Sequence, residues 1–231
     1  MNGSMPLWSR ISDALSALAT GEGLGTMFDR LSKPPERTVG FAIAVIALGA
    51  KMAKADGLVT RNDVTAFREV FAIPQADEKS AARVFNLARE DVAGFEEYAR
   101  KIARMFEADS AVLADLMDGL FHIAVADGEY HPAEDAFLER VAEIFGMPPR
   151  EFAALRARIL PDATPDPYTV LGVDPKMSLK EIRAVWRRLV RETHPDRMIA
   201  RGVPEEAVKL AQSRLVAINA AWEEIETTHG D

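Results

Sequence analysis

Apolar positions along this chain recur at helical spacing, and strand-like alternation is lacking. The clearest stripe is Ile182, Val185, Trp186 and Leu189. Ser178 followed three residues later by Glu181 is a capping box, which predicts a helix beginning at Leu179. Pro195 ends that helix, because proline lacks the backbone N–H and disfavours helical geometry in the residue before it. A second stripe follows: Val208, Ala211, Leu215, Ile218, Trp222 and Ile225. Pro204 suits its first turn, with Glu205 and Glu206 near the positive end of the helix dipole. The pattern predicts an antiparallel helix pair with His194-Pro195-Asp196 at the tip and a loop from Arg197 to Pro204.

Upstream, residues 35–160 read as helix throughout. The segment Val39 to Ala50 is apolar but stops at Lys51, short of the ~20 residues that cross a bilayer, and reads as a buried helix. The region also repeats itself. Ala53 to Asp63 matches Ala124 to Glu134, each copy being an apolar helix, an Ala-Asp-Gly turn and a second helix. The glycines, Gly57 and Gly128, supply the left-handed conformation that a helix C-terminus needs. Val59 and Tyr130 should point inward, with Phe67 and Val70 answered by Leu138 and Val141.

Charge separates the two regions. Residues 1–165 carry 18 basic and 25 acidic side chains, whereas residues 166–231 carry 10 and 11. In the second region Lys180, Arg183, Arg187 and Arg191 form a basic stripe on the predicted helix, with Arg188 beside it. The overall acidic balance, with no basic arm or aromatic-interleaved platform, argues against nucleic acid as a partner. Cysteine is absent, which excludes disulfides and thiolate metal sites and suits a reducing cytoplasm.

These motifs together resemble two known modules. Residues from about Asp166 to Ile225 look like a J domain, the module of DnaJ-type co-chaperones. The matching pieces are Pro167 to Val173, the basic helix, His194-Pro195-Asp196, and Gln212 through Ile218 to Glu223. The stretch Arg197 to Pro204 is similar to the membrane-associated DjlA subgroup. The duplicated Ala-Asp-Gly turns resemble the TerB fold, a helical bundle also found ahead of J domains in DjlA-like chaperones. The resemblance implies an all-α protein: a TerB-like bundle with an internal helix-turn-helix repeat, then a small J-domain hairpin. The expected boundaries are residues 1–34 for an N-terminal amphipathic segment, 35–160 for the bundle, 161–167 for a proline-rich linker and 168–231 for the J domain.

The resemblance further implies a DnaK-type chaperone as partner and stimulation of its ATP hydrolysis. Carried over by position, the contact residues are Lys180, Arg183, Arg187, Arg188, Arg191, His194, Pro195 and Asp196. Glu192 stands where many J domains carry a basic residue, which shortens the positive face. The bundle should choose the place of action through a protein or ligand that the sequence does not reveal. An alternative is a metal- or stress-sensing module whose J domain only docks a chaperone. Its weak metal candidates are Asp56, Asp63, Asp127 and Glu134, because the turns echo the second half of an EF-hand loop. The first half fails, with Met52, Lys54, Ile123 and Val125 at the first ligand positions. Thr60 with Asp63, and His131 with Pro132 and Glu134, read better as helix caps. An enzyme finds little support: His122, His131, His194 and His229 are scattered, there is no nucleophile motif or phosphate-cradling loop, and a presented loop explains the neighbours of His194 better than acid–base coupling with a carboxylate. No cofactor is implied. The DjlA subgroup has a membrane anchor ahead of its other domains, and none is expected from this sequence, where no stretch reaches the ~20 apolar residues of a spanning helix. Leu7, Trp8, Ile11, Leu15 and Leu18 share one face of an amphipathic segment with Arg10 as its sole cation, which favours packing on the bundle over membrane contact. The expected location is the cytoplasm, with peripheral contact at the inner membrane as the alternative.

Overall fold

The apolar run after residue 38 folds as helix α1 (Arg37–Ala55), buried on every face from Val39 to Met52. A helix that is apolar all round needs neighbours all round. They are α2 (Glu78–Glu90), α3 (Phe95–Met105), α4 (Ser110–Ala124) and α5 (Pro132–Ile144), all of which pack on it. The charge of buried Lys51 lies 4.9 Å from the centre of the Tyr98 ring, a cation–π contact. Helix α6 (Pro149–Ile159) closes the bundle against α4 and α5. The computed structural model describes residues 37–55, 78–90, 94–106, 110–125, 128, 130–160, 166–203 and 205–229. Among these residues the chain is all-helical, with no strand.

Of the internal repeat, the second copy lies largely within the described residues. Gly128 takes φ +88°, the left-handed conformation expected of it. The His131 backbone N–H donates to Glu134 Oε2 at 3.0 Å, with Pro132 in the first turn of α5. Leu138 and Val141 are fully buried. Tyr130 packs against Phe121 with ring centres 6.2 Å apart and donates its hydroxyl to Asp135 at 2.7 Å. The first copy beyond Ala55, including Asp56, Val59, Thr60, Asp63, Phe67 and Val70, lies outside the described residues. So do Asp127, the amphipathic segment in residues 1–34, the linker residues 161–165 and Pro204.

The C-terminal region contributes α7 (Pro167–Leu171), α8 (Leu179–Glu192), α9 (Pro195–Ala200) and α10 (Glu205–His229). Helices α8 and α10 pair as the two stripes predict. Val170, Leu171, Val173, Ile182, Ile218, Ala221, Trp222 and Ile225 form its small core. Two sequence expectations need correction. The first half of the expected loop after Asp196 is a helix, α9. The same Pro195 that cannot continue α8 is suited to open α9, since its fixed φ is helical and the first turn does not use its missing N–H. Val208, expected on the inner face of the hairpin, instead joins Met198 and Val203 in the core of the N-terminal bundle. Periodicity gives the face of a helix but not which neighbour covers it.

The two regions are therefore in direct contact. α7 and α10 both pack on α6, and α10 also packs on α4. Gly172, at φ +68° after α7, brings the chain close to α6: a Cβ built there would stand 3.4 Å from that of Ala154. The Arg158 Nε–H of α6 donates to the Val170 carbonyl of α7 at 2.8 Å.

Candidate chaperone-binding surface

Helix α8 owes its start to Ser178. The Ser178 hydroxyl accepts from the Glu181 N–H at 3.4 Å, while Glu181 Oε2 accepts from the Ser178 N–H at 2.8 Å. Hydrogen bonds from the Ser178 hydroxyl and N–H hold the Glu181 carboxyl below its ordinary range. Replacing Ser178 by Ala should cost about 1 kcal/mol, read as a lower urea midpoint with an unchanged slope. No change in midpoint would show that the cap does not matter.

From that start the helix has two faces. Inward, Trp186 stacks on Trp222 with ring centres 5.1 Å apart and donates its indole N–H to Asn219 Oδ1 at 3.0 Å. Outward, Lys180, Arg183, Arg187, Arg188 and Arg191 are all exposed. They are not equivalent. Arg183 pairs with Glu226 at 2.5 Å and lies 5.3 Å from the Trp222 ring, so it is engaged within the hairpin. Among the described residues, no ion pair or hydrogen bond engages the side chains of Lys180, Arg187, Arg188 or Arg191.

The tripeptide follows at once. Thr193 caps α8, with its hydroxyl donating to the Leu189 carbonyl at 2.8 Å. His194 is the N-cap of α9, and its Nδ1 accepts from the Asp196 N–H at 3.2 Å. With Nδ1 accepting, the neutral ring carries its N–H on Nε2, which can serve as a donor. The His194 and Asp196 side chains are 57% and 87% exposed. They are available to a partner and not committed to packing. The structure thus places the eight residues singled out in the sequence on one helix and the turn that follows it.

Four residues that sequence reasoning missed lie just behind this surface. Arg201, at the C-terminal end of α9, donates from one Nη2 to Asp115 Oδ2 at 2.6 Å and to the Glu192 carbonyl at 3.0 Å. Arg214 of α10 donates to the other oxygen of Asp115 at 3.0 Å, and its Nη1 lies 3.8 Å from Asp118. Asp115, Asp118 and Arg214 are all buried. Burial pushes the Asp115 carboxyl above its ordinary range, against the pull of Arg214 and Arg201. Burial also works against the charge on Arg214, but Asp118 and Asp115 more than offset it. Arg158, beside them, is brought down to about 10 by burial and by the charge of Arg214. The signal available in the sequence was a pair of aspartates three residues apart in the apolar middle of α4, between Leu113 and Leu120. Asp115, Arg158, Arg201 and Arg214 line a cleft of about 380 Å³ together with Arg150 of the bundle and Arg188 of α8.

The metal candidates gain nothing from the geometry. Glu134 is occupied in the α5 cap, the three aspartates lie outside the described residues, and no cluster of metal-ligating groups occurs among the described residues.

Comparison with known proteins accounts for both regions. The family model for tellurite resistance protein TerB matches residues 42–157, and the DnaJ domain model matches residues 166–228. The chain belongs to the DjlA-like DnaJ co-chaperones, with a TerB domain ahead of a J domain. Curated relatives named co-chaperone protein DjlA match over most of its length. The Photobacterium profundum protein is 25% identical over 91% of this chain and 85% of its own. The Coxiella burnetii protein is 28% identical over 75% and 72%, and the Escherichia coli K12 protein 24% identical over 98% and 99%. No solved structure matches the chain. At this level the function is that of a DnaJ-type co-chaperone, and the J domain implies a DnaK-type partner. No helix among the described residues is long and apolar enough to cross a membrane.

Proposed function

We propose that the protein binds a DnaK-type chaperone through α8 and the His194-Pro195-Asp196 turn, and stimulates its ATP hydrolysis. The observation that carries this reading is the continuity of the exposed cations Lys180, Arg187, Arg188 and Arg191 with the exposed His194 and Asp196 side chains. Guanidinium groups on one helix face steer an acidic partner and pair with its carboxylates in bidentate fashion. At the end of that face His194 offers Nε2–H as a donor, and Asp196 offers a solvated carboxylate as an acceptor. Pro195 limits the conformations of the turn and so lowers the ordering cost of binding. Arg183 makes a smaller contribution, since Glu226 already competes for it. The TerB bundle would fix where in the cell this stimulation takes place.

Steady-state ATP hydrolysis by a DnaK-type chaperone tests the proposal. The intact chain should raise the rate, and the His194→Gln variant should leave it at the basal level. Equal stimulation by both, or none by either, would overturn it.

A further inference from the structure

The His194-Pro195-Asp196 turn is suspended between two points. On one side is the last turn of α8. On the other is α9, six residues long, too short to hold a position by its own hydrogen bonds. What holds α9 is the bundle. Met198, in its second turn, and Val203, just beyond it, are buried in the bundle core at 1% and 2% exposure. Between them stands Arg201, whose side chain is 13% exposed. Its one Nη2 group joins three parts of the molecule: α9 through its own backbone, the end of α8 through the Glu192 carbonyl, and α4 through Asp115. Residues 192 and 201 flank the tripeptide, so this guanidinium closes the segment that presents it. Asp115 in turn is held from the other side by Arg214, which reaches neither flank of the tripeptide in its hydrogen bonds.

We propose that Arg201, anchored by Asp115 of the TerB bundle, is a positioning residue for the His194-Pro195-Asp196 turn, so that the bundle sets the geometry in which the J domain meets its partner. The inference rests on the reading of that turn as the chaperone contact. It assigns the TerB domain a part in activation beyond choosing a location. Interaction geometry must be held to within about half an ångström to be productive. A six-residue helix released from the Glu192 carbonyl and from Asp115 cannot supply that.

The test uses the full chain throughout. Arg201→Gln removes the charge and shortens the reach, Arg201→Lys keeps the charge, and Arg214→Gln breaks the other arm of the Asp115 cluster without touching the flanks of the tripeptide. His194→Gln is the benchmark for the underlying reading. ATP hydrolysis by a DnaK-type chaperone is titrated with each variant at a temperature where circular dichroism shows it folded. Arg201→Gln should lower the maximal stimulation about tenfold, Arg201→Lys should restore much of it, and Arg214→Gln should retain most of it despite an equal or larger fall in Tm. A second readout needs no partner. The amide resonances of His194 and Asp196 should shift in Arg201→Gln, while the Trp186 indole N–H, bonded to Asn219, stays in place. Full stimulation by Arg201→Gln beside an inactive His194→Gln would overturn this inference alone. Losses in Arg201→Gln and Arg214→Gln that simply follow their Tm would also overturn it, showing a structural role only. Stimulation by His194→Gln equal to that of the unaltered chain would remove the underlying reading, and this inference with it.

Discussion

Asp115→Ala should destabilise the protein by about 3–5 kcal/mol and lower Tm by on the order of 10 °C. Asp115 is 4% exposed and accepts one guanidinium on each oxygen. Removing it strands Arg214 in the interior with Asp118 at 3.8 Å as its remaining carboxylate. The cost comes from that stranded charge more than from any large net gain when the cluster is intact. Burial already penalises the Asp115 carboxylate, and it raises the carboxyl above its ordinary range. Two comparisons separate the contributions. Asp115→Asn keeps the shape and removes the charge, and should lose most of the same stability. Asp115→Ala combined with Arg214→Met should recover part of it, because an apolar replacement leaves no orphaned cation. Urea unfolding followed by circular dichroism measures all three. A loss below about 1 kcal/mol in Asp115→Ala would show that water reaches the cluster and screens it.

Trp222→Ala should be comparably severe, at about 3–5 kcal/mol, and its effect should begin in the J domain. Trp222 is 5% exposed and sits in the small core with Ile218 and Ile225. It stacks on Trp186 and carries Arg183 near its ring. A core built from so few large side chains has little with which to fill the hollow left behind. Trp186→Phe gives the contrast. It keeps a ring against Trp222 but loses the indole N–H bond to Asn219, a loss of about 1 kcal/mol. Equal destabilisation by the two substitutions would show that the hydrogen bond, not the stack, holds the helix pair.

Much of the J domain was legible because its determinants are local. Ser178 and Glu181 announce a helix start three residues apart, and Ile182, Val185 and Trp186 repeat within two turns. The buried α1 was legible for the same reason: a run of apolar residues has no polar face to expose. Helix α9 was not, because proline carries opposite meanings for the residues before and after it: Pro195 cannot continue α8, yet it suits the first turn of α9. The Asp115 cluster was not legible for a different reason. Its partners lie 86 and 99 residues away in the chain, and each arginine, taken alone, looks like a charge on a solvated helix face. The candidate contact residues on α8 could be named individually from the J-domain resemblance. That Arg183 is committed to Glu226 while Arg187 and Arg188 stay unpaired depends on a neighbouring helix, which local pattern does not report.

The entry of three C-terminal side chains into the core of the N-terminal bundle bears on how the chain is made. N-terminal units generally fold first as they leave the ribosome, at about 5–20 residues per second. Here the N-terminal bundle takes Met198, Val203 and Val208 into its interior. Those side chains are synthesised after every helix of the bundle has already emerged. The bundle is therefore expected to complete its packing only after these residues have been made. A nascent chain arrested before residue 195 is expected to leave uncovered the apolar contacts that Met198, Val203 and Val208 fill in the complete protein.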